Sequence, residues 1–262
     1  MSCLFYCICR HPGPVLPAPL LGVGGGPVYQ VKHGLLGAAV SRIARTDLAP
    51  DLSMVRAYDR VVHSYHRQDT VIPMRYGCVV GQESQVIRLL DEHHRQYEAL
   101  LQELEGCVEM GVRVLLPAAS LPAVSSRDLQ GSPEDRRPPL AAAAATPDRP
   151  GLAYLTARKA HYVHQDCWTK EYRQAADRCL AQFAGLFVKA KTEAPSPRLP
   201  LLSLYFLVPR ALVESFRQAF RRLRVAEPTG LLLSGPWPPY NFVTGAPSLS
   251  EAPSWERDGS HG

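Results

Sequence analysis

Residues 231–243 read LLLSGPWPPYNFV. Leu231–Leu233 is an apolar run of strand character, and the Ser234–Val243 stretch after it holds Pro236, Pro238 and Pro239. Proline lacks a backbone donor and fixes φ, so the chain after Leu233 is expected to leave any sheet as a stiff, extended segment. Trp237, Tyr240 and Phe242 then project from a backbone with little conformational entropy left to lose. That suits packing across a domain seam or presenting an aromatic surface to another chain.

Working back from this stretch, Pro209 opens a helix with Leu212, Phe216, Phe220 and Leu223 inward and Arg217, Arg221, Arg222 and Arg224 mostly outward. Leu201–Val208 is a strongly apolar strand, and Leu186–Lys191 is β-like. A helical reading covers 151–184, and Cys107–Leu116 alternates as a strand. Between them, 117–150 changes to proline, alanine and serine with scattered charge, a composition that cannot bury a core and reads as a disordered insertion. The order strand, helix, strand, strand, helix, strand predicts a ferredoxin-like α+β unit that Leu231–Ser234 closes.

The first part of the chain has a related order. Leu4–Cys9 reads as a strand, and 12–26 as a proline- and glycine-rich connection. A hairpin follows, its second strand at Leu35–Ser41. Asp51 caps a helix with apolar positions Leu52, Val55, Tyr58, Val61, Val62 and Tyr65. Val71–Val80 resumes as a strand interrupted near Pro73, and 84–106 reads as one helix capped by Ser84 and stopped by Gly106. The expected fold is therefore α+β, with two ferredoxin-like domains whose antiparallel sheets are backed by helices, the first lacking a regular first helix. The expected division is 1–81 and 82–243, with the insertion at 117–150 and a disordered tail at 244–262.

Bulk properties narrow the function. The net charge of +5 arises from 29 basic and 24 acidic side chains, mostly interspersed, too weak a bias to argue for nucleic acid. No apolar run approaches the ~18 residues a spanning helix needs, so no membrane partner is expected. Met1–Arg10 has no charged n-region or small-residue cleavage site, and a cytoplasmic protein is expected.

Candidate chemical motifs do not survive their context. The 7 cysteines show no paired CxxC spacing; Cys3, Cys7 and Cys9 would share one strand face with Phe5 as small buried hydrophobes. Gly22–Gly26 is followed by Pro27 and a β-rich stretch rather than by Gly-Lys-Ser/Thr, so a flexible turn outweighs a phosphate loop. His63 and His66 lack an evident third ligand, and His161, His164 and Cys167 drift around a helix. No base and acid can be assigned to Cys78. No catalytic residue, cofactor or metal is therefore expected. In Pro73–Gly77, Pro73 and Gly77 can aim Arg75 and Tyr76 unusually; a bent strand with Arg75 paired to a carboxylate competes with a partner-binding role.

Four segments in order carry a resemblance: Thr70–Val79 (TVIPMRYGCV), Cys107–Val114 (CVEMGVRV), Gly151–Lys159 (GLAYLTARK) and the final LSGPWPPYNFV. Together they resemble the gas vesicle protein F/L family (GvpF/GvpL) over roughly residues 3 to 243. Tyr76 and Cys78 stand where that family usually shows Phe and Thr, and Met110 where Trp is usual. The resemblance implies a non-enzymatic accessory protein of gas vesicle assembly. Its partners would be the small hydrophobic shell protein and other accessory proteins. A minor wall component and a small-molecule-binding enzyme are the alternatives. The candidate partner-binding residues are Trp237, Pro238, Pro239, Tyr240, Phe242, Arg75 and Tyr76.

Overall fold

A computed structural model describes residues 2–13, 19–44, 51–115, 170–194, 201–226 and 230–243. The expectations for 117–150 and 244–262, for most of the 151–184 helix, and for His161, His164 and Cys167 lie outside the described residues. The chain divides into two units, Met1–Met110 with Phe206–Val213 and Gly235–Gly262, and Gly111–Tyr205 with Glu214–Ser234.

In the first unit, strands β1 (Ser2–Arg10), β2 (Val28–His33), β3 (Leu36–Ile43), β4 (Val71–Pro73) and β5 (Val79–Val80) form an antiparallel sheet. Its order is β2-β3-β1-β4, with β5 also on β1. The expected interrupted strand at 71–80 is thus two short pieces lying along one neighbour. Between β1 and β2 the described residues hold only a 3₁₀ turn, Val23–Gly25, where a regular helix was not expected.

Helix α1 (Leu52–His66) starts at its expected cap, where the Asp51 carboxylate accepts from the Ser53 backbone N–H. Its buried Tyr58, Val61, Val62 and Tyr65 share a core with Leu4, Tyr6, Cys7 and Cys9 of β1. A second core joins Cys3, Phe5 and Ile8 of β1 to Val86 and Leu90 of α2 (Glu83–Glu92) and to Tyr97 and Leu101 of α3 (His94–Glu103). Helices therefore back both faces of this sheet.

Three expectations are corrected. First, Cys7 and Cys9 do not share the face of Cys3 and Phe5. The register slips between Phe5 and Cys7, a bulge that puts Tyr6 and Cys7 on the same side and reverses the alternation beyond it. Second, the single helix over 84–106 is two helices. His93, at φ −118° and ψ 17°, leaves helical geometry, and the His94 ring nitrogen donates to the Asp91 carbonyl at 2.9 Å, diverting it from the helical ladder. The first of them is capped two residues earlier, at Gln82, where Gln85 Oε1 accepts from the Gly81 and Gln82 backbones at 2.7 and 3.3 Å. Third, the last strand does not end at Ser234.

That strand belongs to a second sheet, with the order β7-β8-β6-β9. Its members are β6 (Cys107–Leu115), β7 (Lys189–Glu193), β8 (Leu201–Pro209) and β9 (Leu231–Trp237). β9 runs on through Pro236 because it lies at the edge, where a missing donor costs no ladder bond on the unpaired side. In the second unit, α4 (residues 170–182) buries Ala175, Ala176 and Cys179, and α5 (Val213–Ala226) buries Phe216, Ala219, Phe220 and Leu223. Phe183 stacks on Phe216 at 4.1 Å and 9°. On the outer side of α5, Arg217 and Arg221 pair with Glu214 at 3.7 and 2.6 Å. Among the described residues, no helix is long and apolar enough to cross a membrane.

Candidate partner-binding site

At the bulge in β1 and the break between β4 and β5, one side chain reaches a cluster of backbone carbonyls, of which those of Tyr6 and Arg75 also accept from the Met74 and Cys78 N–H groups at 2.9 and 3.2 Å. The Tyr58 hydroxyl lies 2.8 Å from the Phe5 carbonyl, 3.0 Å from that of Met74, 3.1 Å from that of Arg75 and 3.4 Å from that of Tyr6. Burial pushes the Tyr58 phenol well above its ordinary range, so it stays a donor among these acceptors. This places Arg75 and Tyr76. Arg75 is exposed, and no carboxylate among the described residues pairs with it. Tyr76 packs edge-on against Tyr58, with ring centroids 5.5 Å apart. Its hydroxyl is buried without a hydrogen-bond partner among the described residues.

The Trp-Pro-Pro-Tyr-Asn-Phe segment is anchored residue by residue. Pro238 and Pro239 are buried. A tight turn follows, in which the Tyr240 N–H donates to the Pro238 carbonyl at 2.8 Å and the Phe242 N–H to the Pro239 carbonyl at 3.1 Å. Tyr240 packs against the α1 core, as Tyr76 does, whereas Phe242 packs against the α2–α3 core. At the centre of the turn, Asn241 donates from its backbone N–H and from Nδ2 to the two carboxylate oxygens of Glu109, at 2.8 and 2.7 Å. Glu109 is only 4% exposed, and bonds of this kind are what make a buried carboxylate tolerable.

Trp237 differs from its neighbours. It is 41% exposed, and its ring meets that of His63 edge-on at 5.5 Å and 78°. It forms one wall of an open groove of about 370 Å³ whose other walls are Arg56, Asp59, Arg60, His63, Ser64 and Arg67 of α1. Of the candidate residues, then, the structure brings Tyr76 and Tyr240 into one core. Phe242 goes to another, and Trp237 and Arg75 remain at the surface. Sequence reasoning missed Glu109, whose signal was a lone carboxylate inside a largely apolar strand, and it weighed His63 as a metal ligand against a solvated or capping role, not as a neighbour of Trp237.

The chemistry of the remaining candidates is muted. Burial pushes the Cys78 and Cys9 thiols up to about 12, which suppresses the thiolate a nucleophile needs. Burial and the Arg210 guanidinium hold His66 down at about 3, so its ring is neutral. Arg210 also donates to the His66 backbone carbonyl. Among the described residues, no three His, Cys, Asp or Glu side chains come together as a metal site.

The chain is similar to proteins of one kind. The family model "Gas vesicle synthesis protein GvpL/GvpF" matches residues 2–244. Gas vesicle protein F of Streptomyces sp. (strain CB03234) is 33% identical, over 93% of this chain and 100% of the relative. Gas vesicle protein L of the same strain is 28% identical, over 91% of each chain. The crystal structure of GvpF from Anabaena sp. PCC7120 superposes with a TM-score of 0.71 at 16% identity, covering 92% of this chain and 95% of the other. That of GvpF from Microcystis aeruginosa gives 0.73 at 14%, covering 92% and 98%. These two solved structures share the α+β fold of two sheets backed by helices. With a match running from the first strand to just past the Trp-Pro-Pro-Tyr-Asn-Phe turn, and a relative covered end to end, the chain belongs to the GvpL/GvpF family of gas vesicle synthesis proteins.

Proposed function

We propose that this chain is a non-enzymatic accessory protein of gas vesicle assembly, acting in the cytoplasm at growing vesicles by binding the small hydrophobic shell protein during nucleation or growth. A shell subunit must expose a gas-facing apolar surface and pairing-competent strand edges before it polymerises, and both invite wrong association. A helper that covers them needs a rigid aromatic contact beside a free strand edge. The observation that carries the reading is Trp237, a large aromatic side chain left 41% exposed at the end of an edge strand while the prolines after it are buried. Such an anchor loses little entropy on binding. Pro238, Pro239, Tyr240 and Phe242 hold it in place, and Arg75 and Tyr76 complete the site from the β4–β5 connection. Other gas vesicle accessory proteins are the second class of partner.

Co-expression of the tagged chain with the small shell protein tests this. Because Tyr240 and Phe242 pack into the cores, replacing them mixes folding with binding. The informative variant is Trp237→Ala, with far-UV circular dichroism as the fold control. Wild type retaining shell protein and a folded Trp237→Ala variant losing most of it is the expected result. A folded variant that retains shell protein as wild type does removes the contact, and a wild type that retains none sinks the reading.

A further inference from the structure

Arg56, Arg60, His63 and Arg67 stand at positions i, i+4, i+7 and i+11 of α1, or just past its end, and so follow one face of the helix over roughly 16 Å of its axis. Arg56, Arg60 and Arg67 are exposed, and none pairs with a carboxylate among the described residues. Among the described residues that line the groove, the one acid, Asp59, is paired with His63 at 3.0 Å. Several other arginines on the described surface are matched. Arg10 is paired with Glu105 at 3.0 Å, Arg42 with Glu83 at 3.1 Å, and Arg217 and Arg221 with Glu214 at 3.7 and 2.6 Å. What sets the α1 row apart, among the described residues, is that three unpaired arginines follow one helix face beside an exposed tryptophan.

We infer that this groove is the docking surface for an acidic α-helix of a partner protein. A helix laid along α1 presents Glu or Asp at helical intervals that bring carboxylates to Arg56, Arg60 and Arg67 in register, with a polar group facing His63, while an apolar residue between them covers Trp237. An extended strand repeats its same-face side chains at an even ~6.7 Å and cannot follow that uneven row. The Asp59 carboxylate in the floor counts against a phosphate backbone, which would pass close to it. Arginine suits the role because its planar fork takes a carboxylate in a bidentate pair. The contact sets partner choice and encounter rate more than tightness, and it weakens with salt.

The test uses the full chain and a synthetic helical peptide carrying Glu at i, i+4, i+7 and i+11 with a Leu between, followed by fluorescence anisotropy at low and high salt. Three comparisons accompany it: the same peptide with Gln for Glu, a single-stranded DNA oligonucleotide, and the variants Arg56→Gln/Arg60→Gln/Arg67→Gln and Arg88→Gln/Arg95→Gln. All five arginines are exposed, so both variants should fold. The expected result is salt-sensitive binding of the Glu peptide that falls at least ~10-fold in the α1 variant and stays within about twofold in the other. Equal binding by the α1 variant, equal binding of the Gln peptide, or tighter binding of the oligonucleotide overturns the inference. Trp237 is unchanged in both variants, so shell-protein capture and acidic-helix docking succeed or fail separately.

Discussion

Gly235 lies near the end of β9, before the strand gives way to the proline segment, and Gly235→Ala tests how tightly that end of the strand is fitted. Its φ is +107°, where an L side chain is strained. A Cβ there would stand 2.6 Å from the Glu109 carbonyl oxygen, 3.1 Å from Met110 Sδ and 3.3 Å from Met110 Cα. The first and last of these are backbone atoms of β6 and cannot swing aside. The strain costs about 1–3 kcal/mol and the overlap about another 1–3 kcal/mol, against a typical total stability of about 5–15 kcal/mol. Gly77→Ala separates the two effects, because Gly77 has φ +85° but nothing within 4 Å of its Cβ position. Both variants share the loss of unfolded-chain entropy that alanine brings. Urea unfolding followed by circular dichroism should therefore place the Gly235→Ala midpoint about 1 M below that of Gly77→Ala, for a slope of about 2 kcal/mol per molar. Equal midpoints would refute the idea that the C-terminal end of β9 is clamped against Glu109 and Met110.

Two further outcomes follow from the buried groups. Tyr58→Phe removes the hydroxyl shared by the carbonyls of Phe5, Met74 and Arg75 and should cost about 1–3 kcal/mol in urea unfolding, with the isotope-labelled carbonyl stretches of Phe5 and Met74 moving to higher frequency in infrared spectra. His66 is held at about 3 against an ordinary 6.5, so the unfolded chain takes up a proton that the folded chain refuses. Its contribution is present above about pH 6.5 and should be lost at up to ~1.4 kcal/mol per pH unit as pH falls towards 3. The acid limb of a stability–pH profile should flatten in His66→Gln, and an unchanged limb would show that other groups govern it.

The sequence by itself determined what depends on neighbours along the chain. Asp51 and the spacing of Tyr58, Val61, Val62 and Tyr65 set α1, because a cap and a 3.6-residue apolar period are local signals. Apolar alternation and a turn set the β2–β3 hairpin, and the four ordered motifs revealed the family. The long-range choices belong to the tertiary structure. The bulge at Phe5–Cys7 turns Cys7 and Cys9 to the other face, yet nothing in the alternating run announces it, because the Tyr58 hydroxyl that meets the Phe5 and Tyr6 carbonyls there lies 53 and 52 residues away. Within Trp-Pro-Pro-Tyr-Asn-Phe, every aromatic looks equally able to face outward in sequence. The Glu109 carboxylate, 132 residues from Asn241, anchors the turn that packs Tyr240 and Phe242 against the cores while Trp237 stays 41% exposed. A buried charge must find its donors wherever the fold brings them, and that requirement cannot be read from spacing.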